Sequence, residues 1–134
     1  MDSKDKFVHH TLEEDPIPAS KAFVFAMSGI AHAIKTQRNF KIHIAVGILA
    51  IALSFILKIS LVEAALVAIC IFAVFAFELI NTSIESVVDL VSPEWSKLAK
   101  HAKDCAAGAV LLVAIMSVFV AAFIFVPKIL NLWI

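Results

Sequence analysis

Beyond a wholly apolar run at residues 64–77, the chain keeps the pattern of a membrane helix yet places Glu78, Asn81, Glu85 and Asp89 along it. Offsets of 0, 3, 7 and 11 residues put these four side chains on one stripe of a helix with about 3.6 residues per turn. An ionisable group in the middle of a membrane helix costs about 2.5–3.5 kcal/mol on insertion scales, so a row of them persists only with partners or a task. The stripe reads as a functional site written into a membrane span.

The composition agrees with a lipid solvent. Of 134 residues, 62% are apolar and 16% charged, and the mean hydropathy is +0.99. A soluble domain of this size cannot hide that much apolar surface. A formal net charge of zero argues against nucleic acid as a partner. Cys70 and Cys105 fall in or beside spans and read as small packing residues rather than a disulfide or a zinc site. The polar first twenty residues carry no signal-peptide pattern.

The expected fold is an all-α membrane protein with an amphipathic surface helix followed by three transmembrane helices. Residues 1–19 read as a flexible tail, with Glu13, Glu14, Asp15, Pro16 and Pro18 opposing regular structure. Residues 20–134 read as one membrane domain. Ser20 suits the N-cap of a helix through about Lys41, in which Phe23, Met27, Ile30 and Ile34 recur at spacings of three and four. Spans are expected at about 42–57, 61–90 and 105–126. The first is short for a hydrocarbon core of ~30 Å, so its ends must borrow from the preceding helix or snorkel through Lys41 and Lys58. Ser92 suits the cap of a short helix with Pro93 at its first position. Trp95 and Trp133 suit opposite interfaces.

Basic residues set an orientation. Lys4, Lys6, Lys21, Lys35, Arg38 and Lys41 precede the first span. Lys97, Lys100 and Lys103 lie between the second and third, and only Lys58 and Lys128 fall on the other side. This imbalance predicts a cytoplasmic N-terminus in a bacterial plasma membrane, with the acidic stripe at the cytoplasmic end of the second span.

The stripe, Asp104 and the nearby Lys35, Arg38, Lys41 and Lys103 form a mixed charge cluster at one membrane face. Carboxylates with an amide oxygen are hard ligands of the kind Mg²⁺ prefers, and that ion usually shares its shell with substrate phosphates. Lysines hold phosphates as point charges. A deep, partly desolvated Glu78 suits a general base. Together these parts suit phosphoryl transfer to an alcohol arriving through the bilayer. The three glycines, Gly29, Gly47 and Gly108, are far apart and each lies in an expected helix. No glycine-rich phosphate loop is possible, so ATP would have to be held by metal and by side chains on helices. His32 and His43 read as interfacial or packing residues. A proton relay in a small transporter is the rival from another class, but it needs carboxylates at several depths and these crowd one end.

Glu78-x-x-Asn81-[ST]-x-Ile84-Glu85-x-Val87-Val88-Asp89, followed by Ala102-Lys103-Asp104-x-Ala106-Ala107-Gly108-Ala109-Val110, closely resembles the prokaryotic integral-membrane diacylglycerol kinase family. Gly29-Ile30-x-x-Ala33-x-Lys35 and Arg38-Asn39-Phe40-x-Ile42-His43 resemble its Gram-positive branch, whose members include undecaprenol kinases. The resemblance covers about residues 20–130. It implies a homotrimer with composite cytoplasmic sites for Mg-ATP and a lipid alcohol. By position it implies Glu78 as general base and Glu85 as metal ligand. Asn81 would orient base and phosphates, and Asp89, Lys103 and Asp104 would contact nucleotide.

One departure stands out. The family usually carries a glutamate where this chain has Gln37, and that glutamate pairs with the residue matching Glu85 in binding metal. Glutamine keeps a carbonyl oxygen and loses a full charge. A variant compensated elsewhere, an engineered trap and a catalytically weakened relative or pseudo-enzyme all fit the sequence. The expected activity is ATP-dependent phosphorylation of undecaprenol, with diacylglycerol as the alternative acceptor.

Overall fold

A backbone surrounded by hydrocarbon must satisfy its own hydrogen bonds, and this chain does so with helices throughout. The computed structural model describes residues 18–131; the expected tail over residues 1–17 and Trp133 lie outside them. Four helices occur among the described residues: α1 (Ala19–Thr36), α2 (Arg38–Ile56), α3 (Leu61–Val91) and α4 (Lys97–Leu130). The last three are long and apolar enough to cross a membrane. The chain divides into two units between His32 and Ala33, and every residue of the acidic stripe belongs to the second.

α1 starts two residues earlier than Ser20 would have it as a cap, at Ala19. The carbonyl of Pro18 accepts from the amides of Lys21 and Ala22 at 2.9 and 3.1 Å, so Ser20 sits within the first turn. The helix also ends sooner than expected, at Thr36 rather than near Lys41. Gln37 alone leaves the helical region, with φ −93° and ψ 118°. Its amide still closes the last turn of α1 on the Ala33 carbonyl at 2.8 Å. The Lys41 ammonium reaches back to the Lys35 carbonyl at 3.0 Å, satisfying an orphan acceptor at the helix end. Arg38–Lys41 therefore belong to the first span, whose 19 residues reach about 28 Å at 1.5 Å per residue. The apparent shortness of that span is made good from the preceding segment.

α2 ends in a Schellman arrangement. Ile59 donates to the Ser54 carbonyl at 3.2 Å and Lys58 to the Phe55 carbonyl at 3.3 Å, with Lys58 in the left-handed region at φ 49°. Ser60 and Glu63 then form a reciprocal capping box that opens α3. The Glu63 carboxylate also pairs with Lys128 near the end of α4 at 3.2 Å.

α3 and α4 are an antiparallel hairpin joined by residues 92–96. These are irregular, so the short helix expected from Ser92 and Pro93 does not form. Instead the Ser92 hydroxyl donates to the Glu94 carbonyl at 3.1 Å, and α4 begins at Lys97 with Ser96 before it. The third span thus starts two turns ahead of the apolar run at Cys105. At 31 and 34 residues, α3 and α4 reach about 46 and 51 Å, well beyond a ~30 Å hydrocarbon core.

α2 packs mainly on α3. The Phe40 and Phe75 rings stack with centroids 5.3 Å apart. A Cβ on Gly47 would stand 3.4 Å from Ile71 Cγ2, which marks the close approach of the two helices. Toward the Glu63 end, Val67, Ile124 and Phe125 form the buried core, flanked by Ala50, Leu53 and Leu57.

Lys58 occupies a backbone position that glycine favours, because a Cβ there crowds the following carbonyl. Lys58→Gly is expected to stabilise the fold by about 1 kcal/mol. The check is a later thermal unfolding transition of the purified variant in detergent.

Candidate active site

The far end of α3 carries the stripe, and its side chains sort by what they bond to. Thr82, Ser83 and Ser86 each donate a hydroxyl to the carbonyl four residues back, at 2.9 Å in every case. These hydroxyls are committed to their own helix. The acids and the amide are not. Glu78 is 3% exposed, and among the described residues no hydrogen bond or ion pair reaches its carboxylate.

One turn further on, Asn81 is buried. Its amide nitrogen donates to Glu85 Oε1 at 3.1 Å, while its Oδ1 is buried without a partner. Such an orphan acceptor costs about 1–3 kcal/mol, so it is poised for a donor or a cation that the described residues do not supply. Beyond it, Asp89 pairs with Lys103 across the hairpin, and Asp104 pairs with Lys100 along α4. Asp89, Lys103 and Asp104 line one cavity of about 390 Å³, together with Glu94, Trp95 and Lys100 from the loop and the start of α4.

The expected site residues thus fall into two adjoining groups. Glu78, Asn81 and Glu85 climb the stripe, and Asp89, Lys103 and Asp104 surround the polar cavity. Gln37 joins neither by a hydrogen bond. It is half-buried at the break between α1 and α2, and its side chain makes no capping hydrogen bond. Among the described residues, no three His, Cys, Asp or Glu side chains converge as a ready-made metal centre. Sequence reasoning read His43 as an interfacial or packing residue, and in the structure it lines an apolar cavity among α2, α3 and α4.

Comparison with known proteins places the chain in a family. The family model described as prokaryotic diacylglycerol kinase matches residues 24–125. A protein of Synechocystis sp. named diacylglycerol kinase is 43% identical over 114 residues, covering 84% of this chain and 65% of its own length. The undecaprenol kinase of Bacillus subtilis is 39% identical over 128 residues, covering 96% of this chain and 99% of its own. A diacylglycerol kinase of Pseudomonas aeruginosa is 34% identical over 86 residues, or 63% of this chain and 69% of that protein. Matches running through all three spans and the whole acidic stripe leave one assignment: the chain belongs to the prokaryotic diacylglycerol kinase family of membrane lipid kinases.

Proposed function

We propose that the protein transfers the γ-phosphate of ATP to undecaprenol at the cytoplasmic face of the membrane, yielding undecaprenyl phosphate and ADP. The observation that carries this reading is Glu78, a deeply buried carboxylate without a partner among the described residues, at the membrane end of a polar stripe. The choice of undecaprenol is supported by the near full-length similarity to the Bacillus subtilis undecaprenol kinase. The similarity to diacylglycerol kinases makes diacylglycerol the second acceptor to offer. The excess of basic residues at the stripe end supports a cytoplasmic site and N-terminus. A homotrimer is what the family resemblance implies.

In the proposed reaction Glu78 accepts the proton of the lipid hydroxyl as its oxygen attacks the γ-phosphorus and the bond to ADP breaks. Asn81, tied to Glu85, orients the reacting groups. Lys103, held in reach by Asp89, offsets phosphate charge, and Asp89 and Asp104 offer acceptors to the nucleotide. The residues present fit Mg²⁺: Glu85 offers a carboxylate and Asn81 an unpartnered amide oxygen. So small a protein donor set suits an ion that takes the rest of its shell from phosphates and water. Bound there with ATP, it would supply charge neutralisation at the phosphates. Gln37 would offer at most a neutral oxygen, which weakens the site relative to a glutamate.

Purified protein in lipid nanodiscs, given labelled ATP and either undecaprenol or diacylglycerol, is expected to phosphorylate undecaprenol faster. A higher rate on diacylglycerol would reverse the acceptor assignment, and product on neither would overturn the kinase reading. Glu78→Gln is expected to lower turnover by about 10²–10⁴-fold, the usual contribution of a general base. Glu85→Gln is expected to leave almost no transfer while the oligomer stays intact on size exclusion, since ligand charge is lost and packing is not. Dissociation of that variant would make Glu85 structural. Gln37→Glu is expected to raise turnover at limiting Mg²⁺; an unchanged rate there would remove Gln37 from the metal site.

A further inference from the structure

The polar cavity at the α3–α4 turn is lined by two lysines, Lys100 and Lys103, and by three acids, Asp89, Glu94 and Asp104. Lys103 already has a place in the proposed reaction. Lys100 has none, and its pairing with Asp104 one turn further along α4 has the form of an ordinary helix ion pair. The order of that pair argues against a stabilising role. A helix dipole favours acids at the N-terminus and cations at the C-terminus, and an i, i+4 pair stabilises a helix more with the acid first. α4 begins at Lys97 with no acid in its first turn, and Lys100 precedes its acid. Both side chains are more than half exposed, at 59% and 55%, a setting in which an ion pair contributes little. The helix gains little from a lysine so placed. The cavity gains its second cation.

We propose that Lys100 is a second phosphate-binding lysine and that it holds the part of the phosphate chain that leaves as ADP. The proposal rests on the kinase reading and assigns one more contact within it. Charge makes the residue necessary. ATP is a polyanion, and without Lys100 the cavity would set Lys103 alone against three carboxylates. Position along α4 decides which phosphate it meets. The helix runs from the cavity into its apolar stretch, so Lys100 stands about 4.5 Å farther from the hydrocarbon than Lys103 along the axis. Glu78, where the transferred group must arrive, is at the hydrocarbon edge of the stripe. A phosphate chain laid outward from there passes Glu85 and Lys103 before it reaches Lys100. The end it presents to Lys100 is common to ATP and ADP. A contact made equally in the bound substrate and in the transition state tightens nucleotide binding without speeding transfer. Until nucleotide arrives the ammonium is held on Asp104, and exchanging that carboxylate for a phosphate oxygen keeps it paired throughout.

The test uses the full chain in nanodiscs, with steady-state transfer from ATP to undecaprenol or diacylglycerol and equilibrium titration with ADP. Lys100→Ala is expected to raise the ATP KM and the ADP dissociation constant alike, by about tenfold, the loss of one charged hydrogen bond. Its kcat is expected to change little. Lys100→Arg, which keeps the charge, should recover most of the loss. Lys97→Ala removes an exposed cation from the same turn, outside the cavity lining, and is expected to leave both constants unchanged. An equal loss in that variant would reduce the effect to surface charge and overturn the proposal. In an Asp104→Asn background, Lys100→Ala is expected to weaken ADP further. No further loss there would make Lys100 a holder of Asp104 and nothing more. A fall in kcat at unchanged KM would overturn the assignment to the ADP end of the chain. If the parent transfers phosphate and Lys100→Ala matches it in both constants, the proposal fails and the kinase reading stands. If no lipid alcohol is phosphorylated, the kinase reading fails, and the ADP titrations still report whether Lys100 binds phosphate.

Discussion

The cost of holding a carboxylate in hydrocarbon fixes where everything else at the site can be. Glu78 is the eighteenth residue of α3, about 26 Å along the helix from Leu61 at 1.5 Å per residue and so close to the far edge of a ~30 Å core. A turn deeper, the acid would bear the full burial cost with nothing nearby to offset it. A turn shallower, water would solvate it, and a hydroxyl anchored by a lipid tail would no longer come to it. Asn81, Glu85 and Asp89 follow toward the headgroups on the same face, so the stripe descends from bulk solvent to the hydrocarbon boundary along one rigid element. No loop has to move to assemble it.

Lipid gives little drive for one apolar helix to seek another, so polar contacts and close packing carry more of the fastening than they would in water. The α3–α4 hairpin is tied at both ends, by Glu63 with Lys128 and by Asp89 with Lys103. The two ties differ in character. Glu63 also belongs to the capping box with Ser60, and the exposures of its side chain and that of Lys128 are 28% and 31%. The Asp89 and Lys103 side chains are 66% and 36% exposed, a setting in which an ion pair contributes about 0–1 kcal/mol. Breaking the pair would therefore cost the fold little, as the phosphate contact proposed for Lys103 requires. The Glu63–Lys128 tie is the better shielded of the two.

What was legible in the sequence follows from which forces are local. The bounds of α3 and the common face of Glu78, Asn81, Glu85 and Asp89 come from hydropathy and helical period, and both survive in the structure. The break at Gln37 has no glycine or proline to announce it. It depends on Ala33 and Phe40 being buried on either side and on Lys41 reaching back to Lys35, and both of those are products of folding. The start of α4 was masked because Lys97–Asp104 is polar, and hydropathy measures solvent rather than helicity. Ser92-Pro93 has the chemistry of a helix start, yet five residues between two long helices cannot repay nucleation of a separate turn.

A lipid kinase of this design also has to choose its acceptor against water at ~55 M, and no lid is needed for that choice. The polar cavity around Asp89, Lys103 and Asp104 opens to solvent, as a site for a soluble nucleotide must. Glu78, the proposed base, is the least exposed acid of the stripe. A water molecule entering from the open end of the stripe would have to pass Glu85 and Asn81 and then give up most of its hydrogen bonds to reach the base. A lipid alcohol arrives from the opposite side, with its tail already in a matching solvent and only its hydroxyl to satisfy. Discrimination between hydrolysis and transfer is thus set by depth along one helix. The burial that makes Glu78 expensive to the fold is also what reserves it for an acceptor that comes through the membrane.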